Sequence, residues 1–320
     1  MIEPTIRPAT IDDAGLAADL MTAAYPMLAE DPVLTRHRWE HPRRGFSYQR
    51  FIAEVGGQPV AFLATGHGPW DQLPDRECEI EVSLDRDRLN AELLSRLWTW
   101  LGDSAARDGA RILEADAPED EPMLLETLDR LGYERDRVER FWELDLRAHG
   151  PRLLEEANAA RTAMLAGGVA LLTLADWRDP EKFRKVHALN ELTLPDAPHT
   201  LPIVPMSFDE FMVRLNRPDK PHDRYWVACR GDRAVAMSYL TYPPVRGSVE
   251  TGFTCCHPEY RGRGIARAVK LQSLAQAVEL GVPSVFTDND SENAPMLHIN
   301  ETLGYQQRPG FVSFVKRVET

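Results

Sequence analysis

The 320 residues, 43% apolar and 27% charged, suit two globular domains, and no stretch approaches the ~18 apolar residues of a membrane span. The formal net charge of −13 falls in the first half, with 30 acidic against 17 basic residues in 1–150 and 20 against 20 in 151–320. Phosphate backbones and anionic membranes need clustered cations, so neither nucleic acid nor membrane is expected as a partner.

The first residues, MIEPTIRPATIDD, lack the basic start and apolar run of a signal peptide, and cytoplasmic residence is the expectation. FIAEVGGQPVAF, from Phe51 to Phe62, reads as strand, two-residue glycine turn, strand, which is a hairpin. GPRLLEEANAARTAMLAGG, from Gly150 to Gly168, has proline at its start, helix formers inside and a glycine pair at its end, and reads as a connecting helix. Strand Val169 to Leu174 and helix Asp179 to Leu192 follow, then a proline-rich loop and a short helix from Phe208 to Leu215. Tyr225 to Cys229 and Ala234 to Tyr242 form a second hairpin, and Val249 to Cys256 a long strand. Helix Gly264 to Leu280, strand Val282 to Asp288, helix Ala294 to Leu303 and strand Phe311 to Val318 close the chain.

The two halves repeat one another. WVACRGDRAVAM, from Trp226, repeats the first hairpin at an offset of 175, and PMLHINETLGY, from Pro295, resembles PMLLETLDRLGY, from Pro122, with Gly304 and Gly132 giving an offset of 172. Two copies of about 150 residues are two domains, not a solenoid. The expected units are 1–149, the connector 150–168, and 169–320. The expected fold class is α+β, two tandem domains, each a mixed, mostly antiparallel sheet with flanking helices.

The sharpest local signal is HPEYRGRGIARAVKLQSLAQAVELG, from His257 to Gly281. A strand ends at Cys256, glycines occupy 262 and 264, and an amphipathic helix begins at once. The first N–H groups of such a helix have no internal partner, and with the helix dipole they form an anion site that glycine lets a pyrophosphate approach. Gly262-x-Gly264 also loosely fits a dinucleotide-binding turn, but no acidic residue lies ~20 positions on to hold a ribose. The matching residues of the first half, Leu89 to Leu94, hold no glycine and follow Asp85 and Asp87, so no phosphate is expected there. Cys78, Cys229, Cys255 and Cys256 have no metal-ligand spacing, and no metal is expected.

Arg261-Gly262-Arg263-Gly264-Ile265-Ala266 resembles the (Q/R)xxGx(G/A) motif of the GNAT acetyltransferases, with Arg261, Gly264 and Ala266 in the defining places. Cys256 to Tyr260 resembles that family's lead-in, and Asn293 to Tyr305 its closing segment. The layout is similar to the tandem, mycothiol synthase type. The resemblance implies acetyl-CoA as co-substrate, with its pyrophosphate on backbone N–H groups from Arg261 to Ala266 and its pantetheine beside Cys255 and Cys256. Asn289 and Asn293 are candidate polar contacts to the arm.

The resemblance also implies direct attack of an amine on the thioester, which calls for a base. Glu250 is the candidate, because a period of two puts it on one face with Gly252, Thr254 and Cys256. The family's usual tyrosine acid falls at Asn300, which can donate a hydrogen bond but no proton. Glu191, Asp196 and His199, with Asp209 and Glu210, are candidates to line a cationic acceptor pocket. The expected function is acetyl transfer from acetyl-CoA to a small-molecule amine. The alternative is a non-catalytic acyl-CoA-binding regulator, and the acceptor and oligomeric state stay open.

Overall fold

The computed structural model describes residues 3–196, 202–291 and 293–318. Its first half contributes strands β1 (Thr5–Pro8), β2 (Ser47–Val55), β3 (Gln58–His67), β4 (Glu77–Leu84), β5 (Ile112–Pro118) and β6 (Glu134–Asp145). Helices α1 (Ala14–Ala24), α2 (Pro32–Glu40), α3 (Ala91–Arg107) and α4 (Pro122–Arg130) accompany them. Helix α5 (Leu146–Ala166) leads into the second half, starting earlier than Gly150 because the Asp145 carboxylate accepts from the N–H groups of Arg147 and Ala148. The second half holds β7 (Ala170–Thr173), α6 (Lys182–Thr193), α7 (Phe208–Leu215), β8 (Tyr225–Arg230), β9 (Arg233–Thr241) and β10 (Glu250–Cys256). Then come α8 (Ile265–Glu279), β11 (Ser284–Asp290), α9 (Ala294–Leu303) and β12 (Gln306–Arg317).

Among the described residues the strands form one twelve-stranded sheet, ordered β1-β2-β3-β4-β5-β12-β6-β11-β10-β9-β8-β7. The two expected sheets are fused because each half's closing strand lies beyond its own edge. Strand β6 pairs with β11 of the second half, and β12 pairs with β5 of the first. The β6–β12 pair joins them, so neither half ends in an open edge where they meet. Buried Asp31 adds a second tie: one carboxylate oxygen caps α2, and the other accepts from the N–H groups of Val245 and Arg246 at 2.6 and 3.0 Å.

Local rules explain most elements. Both hairpins turn on glycines at positive φ, Gly56 and Gly57 in one and Gly231 in the other. Helix α3 buries Leu93, Leu94, Leu97, Trp98 and Leu101 at helical spacing against the sheet. Helix α8 is buried on several sides because it lies between the sheet and α5, where the Gln272 side chain donates to the Ala157 carbonyl at 2.9 Å.

Strands β10 and β11 create the opening that the site uses. They pair in parallel at Glu250–Phe286 and then part. On its other side β10 carries a bulge: Thr251 faces Leu240 and Phe253 faces Tyr239, leaving Gly252 as the extra residue. A Cβ at Gly252 would lie 2.1 Å from the Tyr239 ring, so this position admits only glycine. The bulge overturns the simple alternation expected from the sequence. Glu250 opposes Thr241 and therefore shares a face with Phe253 and Cys255, whereas Thr254 and Cys256 lie on the other face.

Candidate active site

The glycine turn meets the physical requirements of an anion site. Gly262 and Gly264 have φ of 72° and 74°, and among the described residues no atom beyond their chain neighbours lies within 4 Å of where their Cβ would be. Gly264 is the N-cap of α8, and among the described residues no side chain caps that helix. Residues Arg261 to Gly264 are exposed, Ala266 is half-buried, and Ile265 is the first core residue. Arg263 donates to the Glu259 carbonyl at 3.1 Å and lies over the Tyr260 ring. Arg261 donates to the Cys256 carbonyl at 3.2 Å and pairs with Asp196.

The matching turn of the first half is closed. There the Asn90 side chain accepts from the Leu93 N–H at 2.8 Å, and Asp85 accepts from the Asp87 N–H. Asn90 thus occupies a donor of α3 whose counterpart in α8 has no side-chain partner among the described residues, while Asp85 plays the part of His257, which accepts from the Glu259 N–H in the second half.

Glu250 stands at the mouth of the opening. Burial pushes its carboxyl up to about 7, aided by the charges of Asp288, Glu30 and Asp219. It ends an acidic band that the registers place on one face of the sheet. Glu79 opposes Glu114 and shares its face with Asp116, which opposes Ser313. Ser313 shares its face with Phe311, which opposes Glu139, and Glu139 opposes Asp290, two positions from Asp288. Burial pushes Glu139 up to about 7 as well, with Asp288 and Asp116 adding repulsion. Glu79 opposes Gly66 as Glu250 opposes Thr241, and Asp116 precedes Asp288 by the repeat of 172, so the two halves contribute equivalent carboxylate pairs.

A cavity of about 870 Å³ lies away from the glycine turn. The first half's sheet forms its floor with Phe62, Glu79, Glu81 and Asp116, and α7 closes it with Arg214. Glu81 is also pushed up to about 7 by burial. Glu79 and Asp116 are open to the cavity yet walled in by protein, and burial raises both carboxyls.

A buried polar chain lies on the other side of the opening. Lys270 is fully buried and donates to Asn300 Oδ1 at 2.8 Å, and the Asn300 amide nitrogen donates to Asn289 Oδ1. The ammonium thus fixes the Asn300 amide, leaving the Asn289 amide nitrogen as the donor at the end of the chain. Asn293 caps α9 through the Met296 N–H, and Tyr305 occupies the core position expected for it.

Burial pushes Lys270 from its ordinary 10.5 down to about 7, with Asp288 opposing the shift. The unfolded chain then holds the extra proton between those values, so this group makes stability rise with pH across that window, by up to ~1.4 kcal/mol per unit. Lys270→Met is expected to remove that rise. Urea unfolding of both proteins at pH values from about 7 to 10 checks it, and equal slopes would refute it.

Other expected acceptor residues are engaged elsewhere. Glu191 accepts from the Met206 N–H at 3.1 Å and so ties the loop before α7 to α6. Asp196 sits on the turn through Arg261. His199 lies outside the described residues. Asp209 and Glu210 line the large cavity, but Glu210 also completes the Ser207 capping box. Burial pushes the Cys255 thiol up to about 12, which disfavours a nucleophilic thiolate. Sequence reading missed Glu79, Asp116 and Lys270. For the first two a signal existed in the alternation of Glu77 to Val82 and in their offset from the second half. For Lys270 the signal was its place among Ala268, Val269 and Leu271.

Residues 186–305 match the model of the acetyltransferase (GNAT) family. Comparison with curated proteins finds no match. Among solved structures, a tandem GNAT protein from the clavulanic acid biosynthesis pathway superposes with a TM-score of 0.77 at 16% identity over 99% of both chains. A GCN5-related N-acetyltransferase from Sphaerobacter thermophilus gives 0.70 at 15% over 99% of this chain and 96% of that one. One from Kribbella flavida gives 0.56 at 14% over 95% and 97%. At such identities the structural likeness is one of fold, and the family match rests on residues 186–305. Residues 186–305 carry the match to the acetyltransferase (GNAT) family, and the whole chain has the fold of a tandem GNAT protein.

Proposed function

We propose that the unit 169–320 transfers the acetyl group of acetyl-CoA to a small-molecule amine by direct attack, with both substrates bound at once. The observation that carries this is the uncapped start of α8 behind Gly262 and Gly264, beside strands that part after Glu250. The pyrophosphate binds the N–H groups from Arg261 to Ala266, and the pantetheine lies along β10 near Cys255 and Cys256. Asn289, held by Asn300, and Asn293 offer donors to the arm. Glu250 takes the amine's proton, directly or through water, and its carboxyl near 7 suits that task at neutral pH. A β10 N–H stabilises the oxyanion. The acidic band favours a cationic acceptor, whose ammonium it attracts before deprotonation.

The unit 1–149 supports the site without binding CoA phosphates, and 150–168 connects the two. Isothermal titration is expected to give one acetyl-CoA per chain, and two equivalent sites would refute the assignment of the first half. An amine panel assayed for N-acetyl product by mass spectrometry tests the transfer. The second reading, a non-catalytic acyl-CoA-binding regulator, draws on Asn300, which has no proton to give at neutral pH. Tight acetyl-CoA binding with no product from any amine would favour it.

A further inference from the structure

A small cavity of about 50 Å³ lies beside the reacting strand, walled by Gly252 and Phe253 of β10 together with Tyr239, Asn190, Arg214 and Lys220. It has room for a small polar group or one to two waters. Lys220 is only 5% exposed. Its amine is 3.4 Å from the Tyr239 hydroxyl and 4.9 Å above that ring. Among the described residues no carboxylate contacts it: the neighbouring Asp219 is held by Arg217 through two hydrogen bonds, at 3.0 and 2.6 Å.

A buried amine facing open space without a counter-charge is costly, and the cost falls when an anion enters. The groups around Lys220 sharpen the point. Arg214 of α7 and Arg217 after it repel its proton, Asp219 only partly offsets them, and Tyr225 and Tyr239 supply neutral walls. Burial and the two arginines together drive the lysine well below its ordinary range.

We propose that Lys220 and Arg214 form a carboxylate-binding site for a group carried by the substrate held against Gly252 and Phe253. The inference rests on the acyl-transfer reading, which sets the reacting carbonyl on β10. The carboxylate belongs either to the far end of a carboxyacyl thioester, such as malonyl- or succinyl-CoA, or to an amino-acid acceptor. Both present the same anion to the same two cations.

Three readouts on the full chain, each comparing wild type with Lys220→Met and Lys220→Arg, test this. The first is the affinity of succinyl- or malonyl-CoA relative to acetyl-CoA by calorimetry. The second is kcat/KM for β-alanine relative to propylamine, with acetyl-CoA as donor. The third is the rise in Tm caused by succinate alone. A charge-assisted hydrogen bond corresponds to roughly a 10–100-fold preference for the carboxylate in the first or second arm. Lys220→Met is expected to lower that preference at least ~10-fold, and Lys220→Arg to restore part of it. Preference in the first arm assigns the carboxylate to the donor, and preference in the second assigns it to the acceptor. No preference in any arm, or one that survives Lys220→Met, overturns the site. Should acetyl-CoA fail to bind while succinate still stabilises wild type over Lys220→Met, the transfer reading fails and the carboxylate site stands.

Discussion

Gly264→Asp is expected to weaken acetyl-CoA binding by about 100-fold, since a carboxylate ~4–5 Å from a pyrophosphate costs about 3 kcal/mol at the partly screened rim of a site. Two effects combine in this variant and can be separated. Gly264 has a φ of +74°, so any side chain adds strain, but asparagine tolerates that conformation better than most and carries no charge. Gly264→Asn is therefore expected to lose only a small part of the affinity. Calorimetry on both variants decides the matter. Equal losses would mean that backbone strain, not repulsion of an anion, explains the defect, and unchanged affinity in Gly264→Asp would remove the phosphates from this turn.

Glu250→Gln is expected to cut turnover by ~10²–10⁴-fold, the range for losing a general base, with acetyl-CoA affinity nearly intact. The sign of the pH effect follows from the raised carboxyl. With the group near 7, the base form grows as pH rises through that value, so the wild-type rate climbs and then levels. Glutamine has no proton to lose there, and the climb should vanish. A variant that keeps both rate and limb would exclude Glu250, leaving Asp288, whose charge acts on it from the same face, as the next carboxylate to test.

What could be read from the sequence was local. The glycines of the α8 turn, the two hairpins and the core place of Tyr305 each rest on residues within a few positions of one another. The strand exchange did not show, because β6 and β12 carry the same alternation whether they close their own half or the other. The orientation of Glu250 was misread by one residue. Gly252 inside a strand was a warning of a bulge, and the bulge turns Glu250 from the face of Thr254 to that of Phe253. This change brings it into line with Asp288, Glu139, Asp116 and Glu79 across five other strands, a relation that only the pairing registers reveal. Lys220 and Lys270 look like surface cations in a linear reading. Their burial depends on α7, α8 and the sheet meeting around them.

The most direct test of acetyl transfer by ternary attack is a rapid-quench experiment. Preformed protein–acetyl-CoA complex is mixed with an amine that the panel identifies as an acceptor, and free thiol, N-acetyl product and intact protein mass are followed together. Direct attack predicts that thiol and product appear with the same single exponential, only when amine is present, and that the protein never gains an acetyl group. Thiol released without amine, or an acetylated protein formed before product, would contradict it.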